Sequence, residues 1–144
     1  MIYTTLTKKA MRIAFEAHKE QTDKTGIPYI YHPIHLAEQM SDEAEICVAL
    51  LHDVIEDTDM TFEQMEAEGF TPEIIAALRL LTHDENVSYL DYVAEIKKNP
   101  IATKVKLVDL KHNSDLTRLD HVDEKAILRV EKYKKAIALL SNNL

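Results

Sequence analysis

The chain has 144 residues, 46% of them apolar, with two glycines, four prolines, no tryptophan and a formal net charge of -8. That length fits one domain spanning residues 1–144, and the apolar content suffices for a sizeable core. The negative field disfavours loose binding to DNA, RNA or an anionic membrane, although a metal and a few lysines can reverse the potential locally for a small anionic substrate.

Ala, Leu, Ile, Lys and Glu dominate, which favours helix over sheet. Leu6, Ala10, Ile13, Ala14 and Ala17 share one face of a helix over residues 5–20. Residues 21–28 break that pattern, and Thr25-Gly26-Ile27-Pro28 is a turn. Pro33 suits the first turn of a second helix, with His32 near its cap. Residues 43–57 form a third helix, apolar almost to its end. Thr61 and Gln64 make a capping box for a short helix, Thr71 and Pro72 open another, and Ser88 caps the next. Pro100 opens a helix to about residue 113, and the last helix covers about 122–140. Nothing alternates with period two for long enough to make a sheet, so the fold class is all-α, a compact single-domain helical bundle. No signal core or membrane-length run is present, which predicts a cytoplasmic protein. Cys47 lies in an apolar run and reads as a buried free thiol.

The most informative stretch runs from Cys47 to Thr58. On a helix with His52 at zero, Asp53 falls at about 100°, Glu56 at about 40° and Asp57 at about 140°. These four side chains share one stripe of a helix that is otherwise apolar and therefore buried. Burying three carboxylates and an imidazole together costs several kcal/mol per unpaired charge. A divalent cation removes that cost by neutralising the carboxylates and taking the imidazole nitrogen as a ligand. The alternative is a helix end emerging into solvent, where the same groups are merely hydrated. Two further pieces favour the cation. His32 stands at a turn-to-helix junction, and Asp109 stands among Val105, Leu107, Val108 and Leu110, with Asn113 four residues on along the same face. His32, His52, Asp53 and Asp109 offer two nitrogens and two carboxylates, a set suited to an octahedral Mn²⁺-like ion with open water positions.

These residues occur in an ordered pattern from about Ala14 to Arg118. It comprises Ala17-His18 with Gln21, then Lys24, Gly26, Pro28-Tyr29-Ile30, His32-Pro33, the unbroken block Ala49 to Thr58, and Lys106-Leu107-Val108-Asp109 with Asn113. In this the chain resembles the HD phosphohydrolase superfamily, and more narrowly the hydrolase domain of the RelA/SpoT family and its stand-alone small alarmone hydrolases. The resemblance implies that His32, His52, Asp53 and Asp109 bind Mn²⁺, that Glu56 and Asp57 serve the hydrolytic water as catalytic groups, and that Lys24 and Asn113 lie near the substrate. The implied reaction removes the 3′-pyrophosphate from guanosine tetra- or pentaphosphate (ppGpp or pppGpp). Lys106 and Lys111 are further candidates to offset phosphate charge.

The chain departs from the family at Asp23, where the family usually has arginine. A carboxylate repels phosphate and cannot stack on a base. Asp23 therefore keeps open a second reading, hydrolysis of another nucleotide or phosphorylated cofactor at the same centre. A third, a nucleotide-binding module without turnover, is opposed by the intact Glu56 and Asp57. Of the other histidines, His18 reads as structural, His35 as an outer neighbour of the metal ligands, and His83, His112 and His121 as surface or locally hydrogen-bonded groups. The lysine-rich stretch 125–135 reads as a solvated helix face alternating with Ala126, Ile127, Val130 and Ile137, with a homo-oligomer contact there left open.

Overall fold

In the computed structural model, which describes residues 1–142, short polar side chains start nearly every helix. Thr4 caps α1 (Thr5–His18) through a reciprocal pair with Thr7. The helix α2 (Tyr31–Glu38) follows a turn in which Gly26 takes φ +84°, a conformation that side chains with a Cβ rarely adopt. Asp42 caps α3 (Glu43–Leu51). One further turn, α4 (Val54–Asp57), continues from it after a break. The predicted capping box of Thr61 and Gln64 opens α5 (Phe62–Ala67), and Thr71 with Pro72 opens α6 (Pro72–Leu81). Ser88 caps α7 (Tyr89–Ile96), Asn99 caps α8 (Pro100–Asn113), and Asp123 caps α9 (Glu124–Ser141). Each such cap stabilises its helix by about 1 kcal/mol. Among the described residues there is no strand; Thr22 and Pro28 form one isolated antiparallel bridge.

The apolar α3 occupies the centre. Ile46, Cys47, Val48, Ala49, Leu50 and Leu51 are all buried, and α1, α2, α6 and α8 pack around them. A helix apolar on every face has to be surrounded in this way. Cys47 is a free thiol in this core, and burial pushes its pKa up to about 12, so it stays protonated and inert as expected. No described helix is long and apolar enough to cross a membrane.

Two expectations are corrected. The third helix does not run unbroken over residues 43–57: α3 ends at Leu51, and His52 and Asp53 link it to α4. The physical reason is local. His52 Nδ1 lies 2.6 Å from the Ala49 carbonyl, which a continuing helix would give to the amide of Asp53. A 3₁₀ turn, Leu116–Arg118, follows α8. The last helix stands where it was expected, with Asp123 fixing its start. On α9 itself Ala126 and Val130 are buried, but Ile127 is 47% exposed and leaves the face assigned to it.

Candidate metal centre and active site

Three elements deliver the predicted ligands: α2 carries His32, the α3–α4 break carries His52 and Asp53, and α8 carries Asp109. One nitrogen of His32, one of His52 and one carboxylate oxygen of Asp109 lie within 4.8 Å of one another, and all three residues are buried. His32 Nε2 is 2.9 Å from Asp109 Oδ1. His52 Nε2 is 3.0 Å from Asp53 Oδ2 and 3.7 Å from Asp109 Oδ1. Neighbouring residues on a regular helix do not face each other. The break after Leu51 is what turns the His52 and Asp53 side chains toward one point.

The chemistry of these donors fits a divalent cation. His52 Nδ1 faces a carbonyl, which can only accept, so that nitrogen carries the proton and Nε2 presents its lone pair. That Nε2 is buried and makes no hydrogen bond among the described residues, although two carboxylates lie close by. A buried lone pair with no donor aimed at it is costly unless a cation takes it. Burial opposes charge on His52, yet the Asp53 and Asp109 carboxylates push its pKa well above the usual imidazole range, so that without a cation a proton occupies Nε2, and a bound cation would take that proton's place. Burial likewise works against Asp53 and Asp109. His52 and the Tyr29 hydroxyl, which donates to Asp53 Oδ2, bring Asp53 down to about 2. Lys106, 3.0 Å from Asp109 Oδ2, leads the groups that hold Asp109 well below the carboxylate range. Both carboxylates are thus ionised and ready to ligate.

Glu56 shares a cavity with this centre, whereas Asp57 turns away from it toward α1. Glu56 Oε1 accepts the backbone N–H of His83 at 2.8 Å. With His52, Asp53, Lys106 and Asp109 it lines a cavity of about 160 Å³ closed by Tyr89 and Tyr92. Asp57 points the other way, toward α1, with Gln21 Nε2 at 3.4 Å and His18 Nδ1 at 3.9 Å. Burial and then the Asp53 charge raise the pKa of Asp57. Lys24 and Asn113 line a second cavity of about 360 Å³, together with Asp23, Tyr29, Arg118 and Tyr133. Asn113 joins that cavity to the centre, since its Nδ2 donates to Asp109 Oδ1 at 3.0 Å. Lys111 is exposed and lines neither cavity.

Asp23 has a local structural task. Its Oδ1 accepts from Thr25 N, Thr25 Oγ1 and Ile27 N at 2.8 to 3.1 Å, and its Oδ2 lies 3.8 Å from Arg118 Nη2. Among the histidines, His18 is buried against Gln21 and Tyr29, a structural position. His121 is exposed. The reading of His112 as a surface or merely local group is corrected: its Nδ1 lies 2.7 Å from Nδ1 of His32, the two rings edge to edge and nearly coplanar, and His35 stacks on its face. Burial, the Arg118 guanidinium and the two neighbouring imidazoles lower its pKa to about 4. His83 is locally hydrogen-bonded as expected, its Nε2 2.7 Å from the Val87 carbonyl, and it also stacks on Tyr92 at 4.4 Å beside Glu56. Sequence reasoning left Tyr29, His112 and Arg118 without a role. The signal for His112 was present, because it follows Asp109 by three residues and so shares its helix face. Nothing in the spacing marked Tyr29 or Arg118, which arrive through turns.

A buried His–His–Asp cluster on facing helices, with a His-Asp pair at a helix break, defines a helical metal-site fold. The HD domain family model matches residues 10–138, and the chain belongs to the HD domain family. Two bacterial relatives are similar over most of its length. The guanosine-3′,5′-bis(diphosphate) 3′-pyrophosphohydrolase of Aquifex aeolicus is 39% identical over 137 residues, covering 89% of this chain and 19% of the relative. The probable enzyme of the same name from Synechocystis is 32% identical over 151 residues, covering 94% and 20%. The chain therefore spans about a fifth of the length of these relatives. Among solved structures, that of a metazoan ortholog of SpoT, described as hydrolysing ppGpp, matches 99% of this chain and 89% of its own, with a TM-score of 0.78 and 25% identity.

Proposed function

We propose that the chain is a Mn²⁺-dependent hydrolase that removes the 3′-pyrophosphate of ppGpp or pppGpp, giving GDP or GTP. The observation that carries this is the convergence of His32, His52 and Asp109, with Asp53 Oδ2 3.0 Å from His52 Nε2, in a chain similar over most of its length to pyrophosphohydrolases of that substrate. Those four residues would hold the cation. When bound, such an ion lowers the pKa of water toward neutrality and polarises a phosphoryl oxygen.

The chain's own groups do the rest. Water adds to the phosphorus attached to the ribose 3′ oxygen, that P–O bond breaks, and the 3′ oxygen departs with a proton. Glu56, held by the His83 amide at the edge of the smaller cavity, orients the water and takes its proton. Asp57, whose burial favours its protonated form, supplies the proton to the departing oxygen. Lys24 and Asn113 sit in the larger cavity as contacts to the nucleotide phosphates, and Lys106 offsets charge at the Asp109 side.

Asp23 supports a second reading, another nucleoside polyphosphate at the same centre. In this chain the guanidinium facing Asp23 in the cleft is that of Arg118, and Arg129 lines the same cavity. The deciding experiment is product analysis by ³¹P NMR with Mn²⁺ and without. Pyrophosphate and GDP from ppGpp, formed only with metal, are expected. Turnover of other nucleoside polyphosphates with ppGpp untouched would establish the second reading instead.

A further inference from the structure

His32 presents two nitrogens to two different neighbours. Nε2 faces the centre, 2.9 Å from Asp109 Oδ1. Nδ1 faces outward and lies 2.7 Å from Nδ1 of His112, the residue one turn beyond Asp109 on the same face of α8. Two ring nitrogens at that distance share one proton: one donates and the other accepts. A neutral imidazole that gives its Nε2 lone pair to a cation carries its proton on Nδ1. His112 Nδ1 must then be the acceptor, with its own proton on Nε2. The His112 ring is held for this by stacking. It packs 4.0 Å, centroid to centroid, on His35 and lies within 7° of the plane of His32, edge to edge with it, as an in-line N–H···N hydrogen bond requires. Ligating histidines commonly donate their outer N–H to a carboxylate or carbonyl. Here an imidazole from the helix that carries Asp109 takes that place.

We propose that His112 is a positioning residue for the metal centre: it accepts the His32 Nδ1 proton and thereby fixes His32 as an Nε2 ligand, with His35 bracing it from the far side. This rests on the reading of His32 as a ligand. It also ties two ligands together, because His112 and Asp109 ride on one helix and both contact His32.

The test is a Mn²⁺ titration of the intact chain against a competing metallochromic indicator. His112→Phe keeps a flat ring for stacking but cannot accept a proton, and its Mn²⁺ affinity is expected to fall about 10- to 100-fold. His112→Asn places an amide oxygen near the lost Nδ1 and is expected to recover most of that loss. Wild-type affinity in the Phe variant, or an Asn variant no better than the Phe variant, would overturn the proposal. Failure of the wild-type chain to bind any Mn²⁺ would instead overturn the metal reading itself. A second measurement needs no variant. Long-range ¹H–¹⁵N correlation on the Zn²⁺-loaded chain should show His32 protonated at Nδ1 and His112 bare at Nδ1. The reverse tautomers would sink the assignment.

Discussion

The metal centre and the cleft rim beside it are built on different principles. The centre takes its side chains from α2, the α3–α4 break and α8, and His32, His52 and Asp109 are buried. The rim takes Asp23 and Lys24 from a turn and Arg118 from a 3₁₀ segment, and Lys24 is exposed. Packing fixes the first set to within a rotamer, whereas a few polar contacts fix the second. Reaction chemistry on rigid helices and substrate contacts on turns is an arrangement that lets specificity change while the reaction is kept. It follows that substitutions at the centre should abolish function, and substitutions at the rim should only shift it.

Asp53→Ala tests the strong side of that contrast. It removes one carboxylate from the centre and leaves the Tyr29 hydroxyl without its acceptor. Loss of Mn²⁺ binding and a fall in turnover of at least about 10³-fold are expected, measured by metal titration and pyrophosphate release. Full turnover in this variant would remove the centre from the mechanism. Glu56→Gln comes next. The amide keeps the contact with the His83 N–H but cannot take a proton, so metal affinity should hold while kcat falls about 10²- to 10⁴-fold. Unchanged kinetics would take Glu56 out of the chemistry.

Arg118→Ala probes the rim. The guanidinium donates to the His112 carbonyl at 2.9 Å and to Asn113 Oδ1 at 3.4 Å, besides facing Asp23. Half-exposed contacts of this kind contribute about 1 kcal/mol, which is about fivefold in affinity. KM for the nucleotide should rise by about that factor, with kcat within about twofold and Mn²⁺ affinity unchanged. A collapse of metal binding would show that Arg118, through Asn113 and Asp109, belongs to the centre after all.

The same contrast explains what the sequence made legible. Caps at Thr61, Thr71 and Ser88 are set by contacts three residues away, and the structure forms each of them. The candidate ligands stood out because Asp109 and the His52–Asp53 pair interrupt apolar stretches, where an unexplained charge is costly. The break at His52 did not stand out. It depends on a side chain competing for the Ala49 carbonyl, and no pattern of apolar residues records that competition. His112 was passed over because its partner, His32, is 80 residues away in sequence. The task of Asp23 was hidden for a similar reason: its hydrogen bonds are local to the turn, but Arg118 reaches it from beyond α8.

The smallest expected effect compares two ion pairs involving the helices that carry the site. Lys106 and Asp109 pair in the interior of α8, while Lys104 on the same helix reaches Glu45 of α3 at 2.7 Å near the surface. Burial opposes the charge on Glu45, but Lys104 and the Ser41 amide outweigh it and hold its pKa below the carboxylate range. A carboxylate whose pKa is lower when folded stabilises the fold above its unfolded pKa and loses that contribution as pH falls through the folded value. Glu45→Gln should therefore cost about 1 kcal/mol or less at pH 7, a fall of about 2 to 4 °C in Tm. The gap to the wild type should close as the pH falls below the ordinary glutamate range and through the lowered pKa of folded Glu45, where the pair is gone in both proteins. Thermal melts of the two proteins at pH 7 and in acid decide it. A gap that persists in acid would mean that packing of the Glu45 stem, and not its charge, ties α3 to α8 at that end.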